Sequence, residues 1–245
     1  MTRGSEIAWR QRDYDRGKVL AEATIALDDE VGTIGPNLLS AYIHLAICEG
    51  FLGNRGRAVE ILDSAVAMAR AEGDDYSVAA ILNNLGNFAL TERDFTRART
   101  YFEEGAAINR RLMQLVLLAN NLVDLGFVAL AEARVEDAAE AFRESLGICR
   151  AERFFENLVM AVEGLATLAL ERAKPIEATR LLAATTRPRA ELGLPADFNP
   201  IADETRERTL DAARAKLSED AFAAAWAEGE ALSLEAAAEQ AALVE

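Results

Sequence analysis

A residue pattern returns along this chain at a fixed interval of 40 residues, and no other feature restricts the possible folds as tightly. The segment NNLGNFALTERDFTRARTYFEEG at 83–105 matches the stretch from Asn121 onward, with Gly86 falling on Gly126, Leu85 on Leu125, Ala98 on Ala138 and Phe102 on Phe142. One step upstream the same places hold Leu45, Ala46, Ala58 and Leu62; one step downstream they hold Leu165, Ala166, Ala178 and Leu182. Alanine, leucine and glutamate dominate, only five prolines occur, and apolar runs of period two are absent, so the units are helical and the fold class is all-α.

The columns of the repeat have a physical logic. Gly86, Gly126, Ala46 and Ala166 sit in mid-helix, where glycine costs about 1 kcal/mol relative to alanine. Such a residue is worth keeping where a second helix must come close. Ala58, Ala98, Ala138 and Ala178 open the following helix at the facing contact, and Leu62, Phe102, Phe142 and Leu182 come four residues later as large knobs. Short polar turns at 53–57, 91–95, 131–137 and 171–177 require antiparallel neighbours. The expected pairs are 38–52/55–72, 75–92/94–112, 115–132/135–152 and 155–172/175–193.

A small mid-helix residue, an alanine twelve on and an aromatic or leucine four further resembles the tetratricopeptide (TPR) pattern. The resemblance implies a right-handed α-solenoid whose first helices line a concave groove. The usual unit is 34 residues, so each helix gains roughly one turn here. The stretch RQRDYDRGKVLAEAT at 10–24 reads as a fifth copy whose first helix is cut short, with Tyr14 in the place of Phe95 and Gly17 in the alanine column. Opening mid-repeat, Met1 is expected to be an artificial start, a misplaced gene start or a fragment boundary. The array is assigned to 1–193.

Periodicity ends at the connection GLPADFNP (193–200), and three shorter helices are expected at about 201–217, 219–229 and 234–244. Ser218 and Ser233 are placed to cap the last two. Phe222 and Trp226 form an aromatic face expected to cover the open end of the last repeat, making 194–245 a C-terminal helical cap. Pro188 should kink the last paired helix after Thr185.

The tail is similar to the end of the TPR region of bacterial signal-transducing ATPase regulators, LuxR-type transcription factors among them. Arg180, Leu181, Leu182, Leu192, Gly193, Pro195, Ala213, Arg214, Ala221, Phe222, Ala225, Trp226, Gly229 and Leu234 carry this likeness. It implies a sensor or protein-contact arm of a transcriptional regulator that acts beside a nucleotide-binding module. Neither that module nor a phosphate-binding G-x-x-x-x-G-K-[ST] motif is in this sequence.

Charge and chemistry narrow the function. With 26 basic against 41 acidic side chains the chain carries a net charge of −15, which disfavours direct nucleic-acid binding and anionic membrane surfaces. No run of eighteen apolar residues is present and the opening MTRGSEIAWRQ is too polar for a signal peptide, so a cytoplasmic protein is expected. One histidine, His44, and two distant cysteines, Cys48 and Cys149, leave no material for a metal cluster or a nucleophile–base pair. The expectation is a non-enzyme without cofactor, catalytic or metal residues; a hydrolase with an unrecognised site is the remote alternative.

Binding is expected in the groove. Asn83 and Asn87 share one face of one inner helix, and Asn120, Asp124 and Phe127 share one face of the next. Asparagine is a poor mid-helix residue, and stacked amides can pair with the backbone of an extended protein or peptide ligand. The plainer alternative assigns Asn84 and Asn121 to bridging neighbouring helices. Lys18, Lys174 and Lys216 all lie outside the four complete first helices, which argues against a basic clamp for a peptide carboxylate. Two further partners are the nucleotide-binding module itself and a second copy, a homodimer formed through the uncapped N-terminal edge.

Overall fold

The computed structural model describes residues 2–31, 36–193 and 199–244. All elements among them are helices: α1 (Thr2–Arg10), α2 (Tyr14–Val31), α3 (Pro36–Phe51), α4 (Arg55–Glu72), α5 (Asp75–Thr91), α6 (Phe95–Arg111), α7 (Leu115–Ala131), α8 (Val135–Glu152), α9 (Phe155–Glu171), α10 (Pro175–Leu192), α11 (Pro200–Lys216), α12 (Glu219–Glu230) and α13 (Leu234–Ala241). The chain is an all-α, TPR-like solenoid. Successive helices pair as antiparallel hairpins, α1/α2 through α9/α10, and each hairpin stacks on the next. Odd-numbered helices approach one another across repeats more closely than even-numbered ones, which puts them on the inner side of the curve.

The turns show a finer period than the helices do. Gly53, Gly73, Arg93, Met113, Ala133, Arg153, Ala173 and Gly193 all have positive φ, between 56° and 91°, and follow one another at 20-residue intervals. Each ends a helix in the left-handed conformation. The amide one residue past most of them reaches back to a carbonyl of the last helical turn, as from Asp74 to Ala69, Asp94 to Ala89 and Arg134 to Ala129 (2.8–2.9 Å). Turns within a hairpin and turns between hairpins therefore have the same geometry. Asp74 and Asp94 accept the amides of Ser77 and Arg97 at 3.1 Å and cap the helices that follow.

Packing follows the small-against-large columns. A Cβ added at Gly86 would strike the Phe102 ring, and one at Gly126 would lie 2.5 Å from Cε1 of Phe142. Phe102, Phe142, Leu62 and Leu182 are fully buried. Gly164 of α9 presses on the same Phe142 ring, so one knob closes its own hairpin and the junction to the next. On the outer side an ion pair recurs with the repeat: Arg70–Glu104 at 2.7 Å and Arg110–Glu144 at 2.6 Å. Arg150, next in that column, meets Glu239 of α13 at 3.0 Å, since the repeat position that would hold its acid is Ala184. These exposed pairs contribute little energy individually, but they mark where α13 lies.

The three terminal helices do not form another hairpin. α12 packs on α10, where Gly229 meets the backbone of Arg180; α13 lies over α8, α9 and α10. α11 runs along α9 and α10 and reaches inward to α5. Ser218 and Ser233 cap α12 and α13 by accepting the amides of Ala221 and Ala236 at 3.2 and 3.1 Å. Phe222 is buried and stacks on half-buried Trp226, with the Arg214 guanidinium 4.5 Å above the Phe222 ring. α10 is not broken at Pro188 and continues to Leu192; the missing amide costs the Ala184 carbonyl its helical partner. Most of the expected 193–200 connection, with Pro195, lies outside the described residues, as does Met1.

Candidate functional site: the concave groove and the helix lying in it

Two columns of the repeat, four residues apart, form the groove floor. They run Ile43 and Ile47 on α3, Asn83 and Asn87 on α5, Val123 and Phe127 on α7, and Glu163 and Thr167 on α9. The first repeat is apolar here, the second amide-lined and the fourth charged. Asn83 and Asn87 are half-buried neighbours, with Nδ2 of Asn87 3.5 Å from Oδ1 of Asn83. Asn120 is half-buried on α7.

Asp124 and Phe127 occupy different surroundings. Phe127 is 1% exposed, and its ring meets Phe142 edge-on with centroids 5.0 Å apart, so its side chain belongs to the core. Asp124 is buried between α5 and the start of α11. Asn199 donates from Nδ2 to its Oδ1 at 2.8 Å, and Asn83 also hydrogen-bonds to it. Burial pushes this carboxyl up to about 7, and the two amides pull it back only partly. The other asparagines are structural. Asn121, fully buried, accepts from Asn109 of α6 at 2.8 Å, while Asn84 donates to the Ala80 carbonyl of its own helix.

The fourth repeat holds a cluster that has no counterpart in the others. Glu163, 1% exposed, accepts from Arg189 of α10 at 2.8 Å and from Arg206 of α11 at 3.0 Å, and Thr185 donates to it at 3.0 Å. Arg189 also pairs with Asp203 of α11, and Arg206 donates to the Thr186 hydroxyl at 3.0 Å. Burial raises the Glu163 carboxyl above its usual range against the pull of the two guanidiniums. Further along, the Thr167 and Thr209 hydroxyls meet at 2.9 Å, and Glu204 reaches Arg93 at the end of α5 at 2.6 Å. Glu163, Arg189, Asp203 and Arg206 are not among the residues that sequence pattern singles out. The available signal is an acid at 163, in a column that otherwise holds Ile43, Asn83 and Val123; its partners are too far off in sequence to be found by spacing.

Reactive groups are few. Cys48 and Cys149 are buried free thiols whose pKa values burial raises to about 11, so neither is a thiolate at neutral pH. Contrary to the expectation that no nucleophile–base pair could form, Ser5 Oγ of α1 lies 2.9 Å from Nδ1 of His44 on α3. Ser5 is 0% exposed, however, so the pair acts as a strut between helices with no approach for a substrate. Among the described residues no group of His, Cys, Asp and Glu could hold a metal ion. None of the described helices is long and apolar enough to cross a membrane.

No protein-family model matches the chain, and no curated protein does. Solved structures do. BtubC (BKLC) from P. vanneervenii superposes with a TM-score of 0.63 at 19% identity, over 78% of this chain and 79% of that one. A putative kinesin light chain from Podosopora anserina, described as having nearly identical TPR-like repeats, superposes at 0.59 with 18% identity, covering 79% and 95%. A second crystal structure of that protein gives 0.61 at 17% identity, with the same coverage. At these identities the likeness establishes the helical-repeat fold.

Proposed function

We propose that this chain is a non-catalytic scaffold that holds a protein segment in its concave groove, with 194–245 capping the array. The observation that carries this reading is the run of half-buried amides, Asn83, Asn87 and Asn120, on adjoining inner helices. Such side chains can donate to and accept from the backbone of an extended ligand without demanding a charge on it. The buried thiols and the sealed Ser5–His44 pair fit the same reading, because they leave no accessible nucleophile. A random peptide library displayed on phage and panned against the chain tests it. Enriched peptides should lose binding on Asn83→Ala and Asn87→Ala and keep it on Arg57→Ala, on the outer helix α4. Peptides indifferent to the groove substitutions would refute it.

The similarity of the tail to ATPase-type regulators supports a finer reading, in which the scaffold is a sensing arm for effectors or proteins, beside a nucleotide-binding module. On that reading the arm itself ignores nucleotide, and a thermal melt shifted several degrees by ATP and Mg²⁺ would count against it. Self-association is a second reading, favoured by the exposed Ile7, Val19 and Leu27 of α1 and α2. Light scattering across concentrations distinguishes it, since a strictly monomeric result removes it.

A further inference from the structure

We propose that the groove floor along α5, α7 and α9 is a helix-binding surface that α11 occupies in cis, and that a partner helix bearing the same polar face takes its place. This rests on the groove being the binding face and adds what it recognises. The recognised pattern is read from α11 itself: Asn199 at the helix cap, an acid four residues on at Asp203, an arginine three further at Arg206 and a threonine three further at Thr209. Each addresses a groove residue or its neighbour: Asp124, Arg189, Glu163 and Thr167.

The chemistry of the contact makes α11 replaceable. Hairpin junctions elsewhere are closed by Phe102, Phe142, Leu62 and Leu182, whose release would expose large apolar area. The face of α11 turned to the groove is Ala202, Thr205, Thr209 and Ala213, and Ile201 is the one large apolar side chain of α11 that is fully buried. Its remaining contacts are hydrogen bonds and ion pairs, which exchange for water at little net cost. Undocking rehydrates Asp124, and Glu163 keeps Arg189 and Thr185. Moreover α11 touches α12 only slightly, while α12 and α13 have their own seats on α8, α9 and α10, so α11 can leave without unseating them.

A fluorescently labelled, end-blocked peptide of residues 199–217 is the probe. It is titrated against the full chain and against the full-chain variant Asp203→Ala/Glu204→Ala/Thr209→Ala, which weakens α11 in cis and leaves Glu163 both its arginines. The variant is expected to bind the peptide at least tenfold more tightly than the unaltered chain, and adding Glu163→Gln should reverse the gain. Equal binding to both chains, or to neither, overturns the proposal. Should the variant lose its fold, native-state hydrogen exchange on the unaltered chain decides: α11 amides exchanging well before those of α9 and α10 support displacement, and exchange only with global unfolding overturns it. A concentration-dependent dimer of the variant would make a second copy's α11 the occupant and overturn the separate partner. Failure of the phage test with success here would discard the amide-ladder reading and retain this one.

Discussion

The side-chain amide of Asn199, which caps α11, is hydrogen-bonded at 2.8 Å to the buried carboxyl of Asp124 on α7. One asparagine thereby performs two tasks. Its Oδ1 accepts the amide of Ala202 at 3.0 Å and starts the helix, while its Nδ2 fastens that helix to the groove floor. The groove is accordingly occupied in part by the chain's own polypeptide.

That contact gives the fold a pH dependence. The Asp124 carboxyl titrates near pH 7 in the folded chain against 3.8 for an unperturbed aspartate, because burial disfavours the charged form. Between those values the folded state holds a proton that the unfolded state has released, so stability falls as pH rises from 4 to 7 and stays reduced above. The full effect is on the order of 4 kcal/mol. Asp124→Asn removes this titration. In urea denaturation the variant should gain at least about 1 kcal/mol on the unaltered chain between pH 5 and pH 8.5. Parallel pH profiles would show that Asp124 is not the group concerned.

Gly229 is expected to tolerate no side chain. A Cβ there would collide with the Arg180 carbonyl and lie 2.7 Å from Cβ of Ala183, and backbone cannot step aside as a flexible side chain can. Gly229→Ala should destabilise by about 2–3 kcal/mol through overpacking, read by calorimetry, and should raise hydrogen exchange in α12 first. Gly56→Ala, where nothing lies within 4 Å, serves as the control and should be neutral or stabilising.

The left-handed turn residues offer the opposite result. Ala133 and Ala173 have φ of 58°, a conformation in which a Cβ is strained and glycine is not. Ala133→Gly and Ala173→Gly should each raise stability by roughly 0.5–1 kcal/mol, the relief of strain exceeding the entropic cost of glycine. A loss in chemical denaturation would indicate that the methyl groups contribute packing.

Two asparagines on neighbouring inner helices separate binding from folding. Asn87→Ala should change unfolding free energy by less than about 0.5 kcal/mol, since its one side-chain contact is a long 3.5 Å hydrogen bond at a half-buried position. Asn121→Ala leaves Nδ2 of Asn109 without its acceptor in the interior and should cost about 2 kcal/mol. Similar losses for both, measured in one urea series, would place Asn87 in the packing.

Much of the architecture is legible in the sequence because it is local. Whether residues 83–105 form a hairpin depends on Gly86 and Phe102, which are close enough in sequence to share a pattern, and translating the pattern by 40 residues places the other hairpins. The Ser218 and Ser233 caps are legible for the same reason. The 20-residue turn period is hidden at that level, since Arg93, Met113, Ala133, Arg153 and Ala173 share a backbone angle and no side-chain chemistry.

The amino-acid sequence by itself determined the helices, their pairing and the inward face that carries Asn83, Asn87 and Asp124, since helical periodicity and short turns leave few other arrangements. Tertiary structure alone decided what meets that face. Asp124 finds Asn199, and Glu163 finds Arg189 and Arg206, across separations that no period relates, and a buried carboxylate must have hydrogen-bond donors from whichever element can reach it. The polar character of α11 reads as an ordinary exposed helix until the curvature of the stacked hairpins brings the inner helices around it.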